Sequence, residues 1–160
     1  MRENEKFGSA PVGTYSVSVY IIKTIENTPH VLMILRDAEP YPDIWQPVTG
    51  RIRDGETAWQ TGLRETKEET GLIPDKFYSA NYIETFYHIP ANTTNLTPAF
   101  VAFINTEQNI RLSQEHRDYK WVTFDEACSM VAFSPQRTAL KHIEENYINT
   151  APNELLRIDL

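Results

Sequence analysis

The sequence has little cysteine, a deficit of positive charge and no long hydrophobic run. Its 160 residues include one cysteine, Cys128, which excludes an internal disulfide and is consistent with a reducing compartment. Acidic residues outnumber basic ones by 22 to 15, and the net charge of −7 argues against binding to polynucleotides or anionic membranes. Neither a transmembrane run of roughly 18 apolar residues nor a signal-peptide core is present. We therefore expect a cytoplasmic protein.

The length and the hydrophobic content predict a single domain. Of the 160 residues, 41% are hydrophobic, which is enough to form one globular unit with its own core. Residues 1–13 are polar and contain two glycines and a proline, so we expect a mobile N-terminal lead-in. We assign the domain to residues 14–150 and a C-terminal tail to residues 151–160.

Strands are predicted on both sides of a central helix. Apolar alternation and β-branched residues indicate strands at residues 15–25, 31–36, 44–50, 77–87, 99–105 and 119–122. The first two are expected to form a hairpin with a turn at residues 26–29. Residues 88–98 are expected to be a polar loop of the type that carries specificity.

Two further helices are predicted near the C-terminus. Thr123 or Asp125 can cap a short helix that continues to Met130. Ser134, followed by proline, is expected to be the N-cap of a helix that ends near Ile148. The order of strands, helix, strands and helix is typical of an α+β fold.

The segment from Gly50 to Leu72 has the highest density of charged residues. Thr57 and Gln60 form a potential capping box, and Gly71 provides a stop signal, so a helix is predicted at residues 57–70. One stripe of this helix is expected to pack against the core. It consists of Trp59, Leu63, Thr66 and Thr70.

Three glutamates share another stripe of the same helix, namely Glu65, Glu68 and Glu69. Like charges three and four residues apart repel by a few tenths of a kcal/mol, so a nearby positive charge is expected. A glutamate-rich helix is often only a solvated surface, and the glutamates alone would favour that interpretation. The spacing of the whole segment favours a functional site instead.

The segment resembles the Nudix box, G-x5-E-x7-R-E-U-x-E-E-x-G-U, in which U is aliphatic. The matching residues are Gly50, Glu56, Arg64, Glu65, Glu68, Glu69, Gly71 and Leu72. Thr66 departs from the motif because it replaces an aliphatic residue, and it lies on the stripe that is expected to pack. The resemblance implies an α/β/α sandwich built on a mixed central sheet.

The resemblance also implies a divalent metal site. Glu65 and Glu69 would be the main ligands, Glu68 would share or orient the ion, and the carbonyl of Gly50 would complete the site. The implied ion is Mg²⁺, with Mn²⁺ as an alternative, because oxygen ligands suit such ions. Arg64 would pair with Glu56 and lock the helix to the preceding loop.

A further carboxylate is expected from outside the helix. Glu115 belongs to the stretch EHRDYKW, which is similar to a segment of bacterial dATP and dihydroneopterin triphosphate pyrophosphatases. The resemblance implies that Glu115 is a metal ligand or the base that deprotonates water, whereas the alternative is an ordinary loop glutamate. Geometry decides between these alternatives.

The resemblance suggests four residues that would contact the substrate: Arg36, Thr49, Gly50 and Ser134. Arg36 could equally be a surface arginine. Trp45, Phe86 and Tyr87 could stack on a base or pterin ring, although aromatic residues in strands are more often core residues. The four histidines lack metal-ligand spacing and are interpreted as surface or structural residues, unless His116 orients Glu115.

Together these features predict a metal-dependent pyrophosphohydrolase. It would cleave a nucleoside triphosphate such as dATP, or a related triphosphate, to monophosphate and pyrophosphate through attack of water on phosphorus. One alternative is hydrolysis of dinucleoside polyphosphates or other compounds linked through a nucleoside diphosphate. Another is a Nudix fold that binds nucleotide without catalysis. The expected partner is a small nucleotide rather than a polynucleotide or a membrane, and a homodimer is compatible with the sequence.

Overall fold

The computed structural model describes residues 8–160, so the first seven residues of the predicted lead-in lie outside the described residues. Nine strands and three α-helices are present in that range. The strands are β1 (Val12–Gly13), β2 (Ser16–Ile25), β3 (Thr28–Arg36), β4 (Trp45–Gln46), β5 (Val48–Arg51), β6 (Lys76–His88), β7 (Thr93–Phe103), β8 (His116–Val122) and β9 (Arg157–Ile158). The helices are α1 (Ala58–Thr70), α2 (Phe124–Met130) and α3 (Ser134–Ile143).

All nine strands belong to one mixed sheet. Strands β2 and β7 lie side by side in parallel, while β3 and β6 pair antiparallel on their outer sides. The first half of β2 also pairs with β5, which places Val17 opposite Gly50. Strand β8 covers the outer edge of β3. Strand β5 is followed by a loop at residues 52–57 and then by α1.

Each face of the sheet is covered by helices, which confirms the predicted α/β/α sandwich. Val17, Val19 and Ile21 of β2 point to the core beneath α1. Tyr20 and Ile22, with the opposite orientation, pack in the core beneath α2 and α3. This alternation along one strand is expected when both faces are buried. Among residues 8–160, no helix combines the length and the apolar character needed to cross a membrane.

The prediction of a loop at residues 88–98 is wrong. Strands β6 and β7 form a hairpin joined by a short 3₁₀ turn, Ile89–Ala91, and Asn92 follows with a φ of 50°. Two polar residues of this segment, Asn95 and Thr97, are buried in the sheet, whereas Asn92 is exposed at the turn. The hydroxyl oxygens of Ser16 and Thr97 are 3.2 Å apart. Thr97 of β7 lies directly opposite Glu84 of β6.

Glu84 explains why the interior of this hairpin is polar. Its carboxyl group accepts hydrogen bonds from the hydroxyls of Tyr20, at 2.6 Å, and of Ser18, at 3.2 Å. Burial raises the pKa of Glu84 to about 7. A patch of hydrogen-bonded polar side chains can thus replace apolar residues inside a strand, and its sequence then looks like that of a loop.

Smaller differences concern the ends of elements. The turn between β2 and β3 contains only Glu26 and Asn27, whose φ values of 49° and 62° are typical of a two-residue hairpin turn. Ser134 is the first residue of α3, and Phe133 is the N-cap without a side-chain hydrogen bond. Helix α3 continues as a π-helical turn at Glu144–Ile148, so helical backbone extends to the predicted end.

Candidate active site

Helix α1 begins and ends at the predicted signals. Thr57 Oγ1 accepts a hydrogen bond from Gln60 N at 3.3 Å, and Gln60 Oε1 accepts one from Thr57 N at 2.9 Å. Gly71 follows the helix with a φ of 73°, and its N–H donates to the carbonyl of Lys67 at 2.9 Å. The ends of the helix are therefore fixed locally.

The buried stripe of α1 differs from the predicted one. The buried residues are Thr61, Gly62, Thr66, Glu69 and Thr70, while Trp59 and Leu63 are only partly buried. A Cβ at Gly62 would lie 3.1 Å from Phe77 and 3.2 Å from Val19, so the helix backbone lies close to the sheet at this point.

The structure accommodates threonine in place of the aliphatic residue of the motif at position 66. Thr66 is fully buried, and its hydroxyl donates to the carbonyl of Gly62 at 2.8 Å. The polar group is therefore satisfied within the helix. Packing of α1 is compatible with this departure from the motif.

Arg64 and Glu56 form an ion pair with two hydrogen bonds. The distances are 2.7 Å from Nε to Oε1 and 3.0 Å from Nη2 to Oε2. Glu56 also accepts from the hydroxyl of Thr61 at 2.8 Å, and Arg64 Nη2 donates to the carbonyl of Arg51 at 3.0 Å. The hydrogen bond from Arg64 lowers the pKa of Glu56 to about 2. The pair ties α1 to the loop that precedes it.

Arg64 also supplies positive charge to the glutamates of α1. Its Nη1 lies 2.5 Å from Glu65 Oε1 and 3.0 Å from Glu68 Oε2. Arg53 lies 3.2 Å from the same oxygen of Glu68. These contacts offset the repulsion between carboxylates on neighbouring turns. Glu68 remains half-exposed, with 47% of its side chain accessible, whereas Glu65 is largely buried.

Gly50 is in close contact with Glu65. A Cβ at position 50 would overlap Cγ and Cδ of the Glu65 side chain. Only glycine therefore allows the carboxyl group to lie against the backbone of β5. Burial raises the pKa of Glu65 above its ordinary value, although the contact with Arg64 opposes this change.

Glu69 is the most buried of the three glutamates, with 5% of its surface exposed. Its Oε2 is buried and has no hydrogen-bond partner among the described residues. Burial, together with the negative charges of Glu65 and Glu115, raises the pKa of Glu69 to about 9. A carboxyl group with this pKa is protonated at neutral pH unless a cation stabilises its charged form.

A loop beside the C-terminal end of α1 brings Glu115 to these glutamates. The N–H of Arg111 donates to the carbonyl of Thr70 at 2.8 Å, and that of Ser113 donates to the carbonyl of Glu69 at 3.2 Å. These bonds satisfy carbonyls that a helix end leaves unpaired. The side chain of Glu115 is 60% exposed, and its Oε2 lies 3.9 Å from Arg36 Nη1.

Arg36 is not a free surface residue. Its Nε donates to the carbonyl of Ala38 at 2.9 Å, and its Nη2 donates to the carbonyl of Glu39 at 2.9 Å. Two donors thus hold the following loop, and the third nitrogen faces Glu115. Arg117 holds the same loop through ion pairs with Asp37 and Asp43.

The other predicted substrate contacts lie in two different layers. Thr49 adjoins Gly50 in β5, and its hydroxyl accepts from Gln46 Nε2 at 3.3 Å. Ser134 is exposed at the start of α3, which belongs to the layer opposite α1. The structure therefore brings Thr49 to the glutamates of α1, whereas it places Ser134 in the opposite layer.

The predicted aromatic residues occupy different environments. Trp45 packs against the core beneath α2 and α3, with Lys120 Nζ 5.0 Å from its ring centre. Phe86 and Tyr87 are exposed near the end of β6, and the Tyr87 hydroxyl donates to Asn92 Oδ1 at 2.7 Å.

Sequence reasoning missed another aromatic pair. The rings of Tyr41 and Phe133 meet edge to face with centres 5.4 Å apart, and the two residues are 38% and 41% exposed. Tyr41 belongs to the loop that Arg36 holds. The one signal in the sequence was a tyrosine between two prolines in a loop, a position at which core packing gives no reason for an aromatic residue.

His116 is the buried member of the four histidines. Its Nδ1 lies 3.4 Å from Ser113 Oγ, and no hydrogen bond joins its ring to Glu115. Burial and the neighbouring charge of Arg36 lower the pKa of His116 to about 4, so the ring is neutral at pH 7. The possibility that His116 orients Glu115 through a side-chain hydrogen bond is therefore not supported.

The donor set fits a hard divalent cation. Glu65, Glu68, Glu69 and Glu115, with the Gly50 carbonyl, supply only oxygen atoms, which Mg²⁺ and Mn²⁺ prefer. The raised pKa of the buried Glu69 and the contact between Gly50 and Glu65 agree with such a site. In residues 8–160, no three His, Cys, Asp or Glu side chains are placed close enough together to hold a metal ion. Glu65 and Glu68 are turned towards Arg64 instead.

Comparisons with known proteins identify the family. A family model described as NUDIX domain matches residues 14–145. A dihydroneopterin triphosphate diphosphatase of Escherichia coli K12 is 32% identical over 148 residues, covering 84% of this chain and 94% of that protein. An asymmetrical bis(5'-nucleosyl)-tetraphosphatase of Rattus norvegicus is 30% identical over 127 residues, covering 76% of this chain and 84% of that protein.

Solved structures show the same fold. An Ap4A hydrolase of C. elegans in a binary complex superposes with a TM-score of 0.72 at 21% identity, covering 83% of this chain and 96% of its own. The dihydroneopterin triphosphate pyrophosphohydrolase of E. coli gives a TM-score of 0.66 at 28% identity, covering 86% of this chain and 100% of its own. The predicted fold and enzyme class are confirmed, and the chain belongs to the Nudix hydrolase family.

Proposed function

We propose that the protein cleaves a nucleoside triphosphate, or a related triphosphate, to the monophosphate and pyrophosphate. The observation that carries the proposal is the arrangement of Glu65 and Glu69 in contact with β5 and near Glu115. Two buried carboxyl groups with raised pKa values require a cation to be charged together. The similarity to a dihydroneopterin triphosphate diphosphatase over 84% of the chain supports a triphosphate substrate.

Glu65, Glu69 and the carbonyl of Gly50 would hold Mg²⁺ or Mn²⁺, with Glu68 and Glu115 as further ligands. When bound, the ion neutralises phosphate oxygens and lowers the pKa of a coordinated water. Glu68 is half-exposed and held by Arg53 and Arg64, so it is also available to orient the other ligands. Arg64 and Glu56 keep α1 in a fixed position against the loop before it.

Glu115 is the proposed base. Its exposed carboxylate can take a proton from water as the oxygen attacks phosphorus, while the phosphoanhydride bond breaks and the pyrophosphate leaves. Nη1 of Arg36, 3.9 Å from Glu115, can donate to a phosphate oxygen at the same place. Gly50 and Thr49 of β5 contact the two glutamates: Gly50 lies against the side chain of Glu65, and the backbone of Thr49 donates to Glu69.

The flat ring of the substrate would bind at Tyr41 and Phe133. Both rings are partly exposed, and Tyr41 lies on a loop fixed at both ends by Arg36 and Arg117. An aromatic surface on the loop that Arg36 holds suits a purine or a pterin, because every such ring can stack. Ser134 follows Phe133 directly and could contact polar groups of the same ring.

Hydrolysis of a dinucleoside polyphosphate is the second candidate. Relatives from rat and from C. elegans with 30% and 26% identity are named asymmetrical bis(5'-nucleosyl)-tetraphosphatases. The same carboxylates could act on a phosphoanhydride bond of a nucleoside triphosphate or of a dinucleoside polyphosphate. A catalytically inactive nucleotide-binding protein is less consistent with the site, because binding alone does not require four acidic motif residues.

A substrate panel tests the proposal. Purified protein with Mg²⁺ would be given dATP, dihydroneopterin triphosphate, diadenosine tetraphosphate and ADP-ribose, and the products would be separated by anion-exchange chromatography. We expect pyrophosphate and monophosphate from the first two. A Glu65→Gln variant should lose this activity at saturating Mg²⁺, while Glu107→Gln, which changes an exposed glutamate, should retain it. Products from diadenosine tetraphosphate alone would favour the second candidate.

A further inference from the structure

Three buried side-chain atoms have no hydrogen-bond partner within residues 8–160: Glu69 Oε2, His116 Nε2 and Gln136 Oε1. Gln136 belongs to α3, in the layer opposite α1. The other two are a carboxylate oxygen and an imidazole nitrogen, which are complementary as acceptor and donor. Buried polar groups in proteins are almost always paired. A hydrogen bond between these two atoms would satisfy both of them.

Ser113 connects the two residues. Its N–H donates to the carbonyl of Glu69 at 3.2 Å, and its Oγ lies 3.4 Å from His116 Nδ1. His116 pairs with Arg36 across β8 and β3, and the charge of Arg36 acts on both His116 and Glu69. Glu69, His116, Ser113 and Arg36 thus form one cluster at the end of α1.

The contacts of Ser113 favour one tautomer of His116. Ser113 Oγ accepts a hydrogen bond from the N–H of Glu115 at 3.4 Å, so its own proton is available for Nδ1. A neutral imidazole that accepts at Nδ1 carries its proton on Nε2. The buried Nε2 is then a donor without an acceptor, and Glu69 Oε2, in the charged carboxylate that a bound cation favours, is a buried acceptor without a donor.

We propose that His116 is a positioning residue for Glu69, to whose Oε2 it donates Nε2–H directly or through one water. This role rests on the proposed function of Glu69 as a ligand of the metal ion. The hydrogen bond holds Oε2, and the other carboxylate oxygen, which also accepts from the backbone N–H of Thr49, is left for the ion. Partners that orient a ligand in this way typically change metal affinity or activity by about 10- to 100-fold when they are lost.

Two substitutions at the same position test the proposal. In His116→Gln the amide nitrogen can occupy the position of Nε2, so a donor to Glu69 remains. In His116→Asn the shorter amide can reach only the position of Nδ1, so the contact with Ser113 remains and the donor to Glu69 is lost. We expect the Mn²⁺ affinity, measured by calorimetry, to be within about threefold of wild type for His116→Gln and about 10- to 100-fold weaker for His116→Asn.

A matched control and a second measurement complete the test. His30→Asn changes a histidine in the β2–β3 hairpin and should leave Mn²⁺ affinity unchanged. Long-range ¹H–¹⁵N spectra of the Mg²⁺-saturated wild-type protein should show the His116 ring protonated at Nε2, which requires no variant to fold. Protonation at Nδ1, or equal Mn²⁺ affinity of the Gln and Asn variants, would overturn the proposal.

The test separates this inference from the proposed function. If Mn²⁺ binds with the expected ranking of the variants but none of the four substrates is hydrolysed, the role of His116 stands and the proposed reaction fails. If triphosphates are hydrolysed while the variants bind Mn²⁺ equally, the reaction stands and His116 is only a core residue.

Discussion

Arg64 and Glu56 meet through two parallel hydrogen bonds, with Nε 2.7 Å from Oε1 and Nη2 3.0 Å from Oε2. The eight-residue separation in sequence spans the turn from the loop after β5 into α1. The same guanidinium also contacts Glu65 and Glu68. One arginine therefore fixes the start of the helix and balances the charge of its acidic face.

The ion pair should make stability depend on pH in the acidic range. The pKa of Glu56 is lowered from 4.5 to about 2 in the folded protein. The unfolded chain therefore binds more protons between these values, and stability from the pair is present above pH 4.5 and is lost as pH falls towards 2. Urea unfolding from pH 7 to pH 2.5 should show Glu56→Gln less stable than wild type at pH 7 and the difference shrinking below pH 4.5. A difference that is constant with pH would contradict the assignment.

Glu69 should have the opposite effect in metal-free protein. Its pKa is raised from 4.5 to about 9, so the folded protein holds a proton that the unfolded chain releases. The stabilisation is complete below pH 4.5 and is lost as pH rises through 9. In EDTA at pH 8.5, the melting temperature of Glu69→Gln should be several degrees higher than that of wild type. The difference in melting temperature should be smaller at pH 5. Added Mg²⁺ should raise the melting temperature of wild type but not of the variant.

Gly50→Ala should damage the site without unfolding the protein. The new Cβ would overlap the Glu65 side chain, whose carboxyl group can move only away from β5. Overpacking of this kind costs about 1–3 kcal/mol. We expect a loss of hydrolysis of at least tenfold and a small drop in melting temperature. Gly8→Ala is the control, because a Cβ there meets no atom within 4 Å.

The aromatic pair predicts a specific change in substrate affinity. Phe133→Leu and Tyr41→Leu should raise KM for a nucleoside triphosphate by about tenfold, because stacking on one aromatic side chain contributes about 1–3 kcal/mol. KM for inorganic tripolyphosphate, which has no ring, should remain unchanged. Tyr87→Leu serves as the comparison. If Tyr87→Leu raised KM more than the other two substitutions, the substrate's ring would bind at the end of β6 instead.

The parts of the site that are close in sequence could be predicted from it. Arg64, Glu65, Glu68 and Glu69 lie on one helix with local caps, so their spacing alone defines an acidic face. Glu115 was suggested by a short motif, but its position next to Arg36 depends on the pairing of β8 with β3.

Contacts between distant segments could not be predicted in the same way. Tyr41 and Phe133 are 92 residues apart and follow no periodic pattern. The sequence predicts a loop at residues 88–98 because Thr97 and Asn95 are polar, although both are buried and Thr97 lies opposite Glu84. The tertiary partner, rather than the local sequence, determines the environment of such residues.

Strand β9 has a consequence for self-association. Phe77 and Tyr78 of β6 pair with Ile158 and Arg157, and Tyr78 also donates to Glu154 at 2.8 Å. An uncovered outer strand offers free amide and carbonyl groups to any neighbouring molecule, and short covering strands are a common protection. By folding residues 154–158 back onto this border, the protein shields part of it from edge-to-edge aggregation.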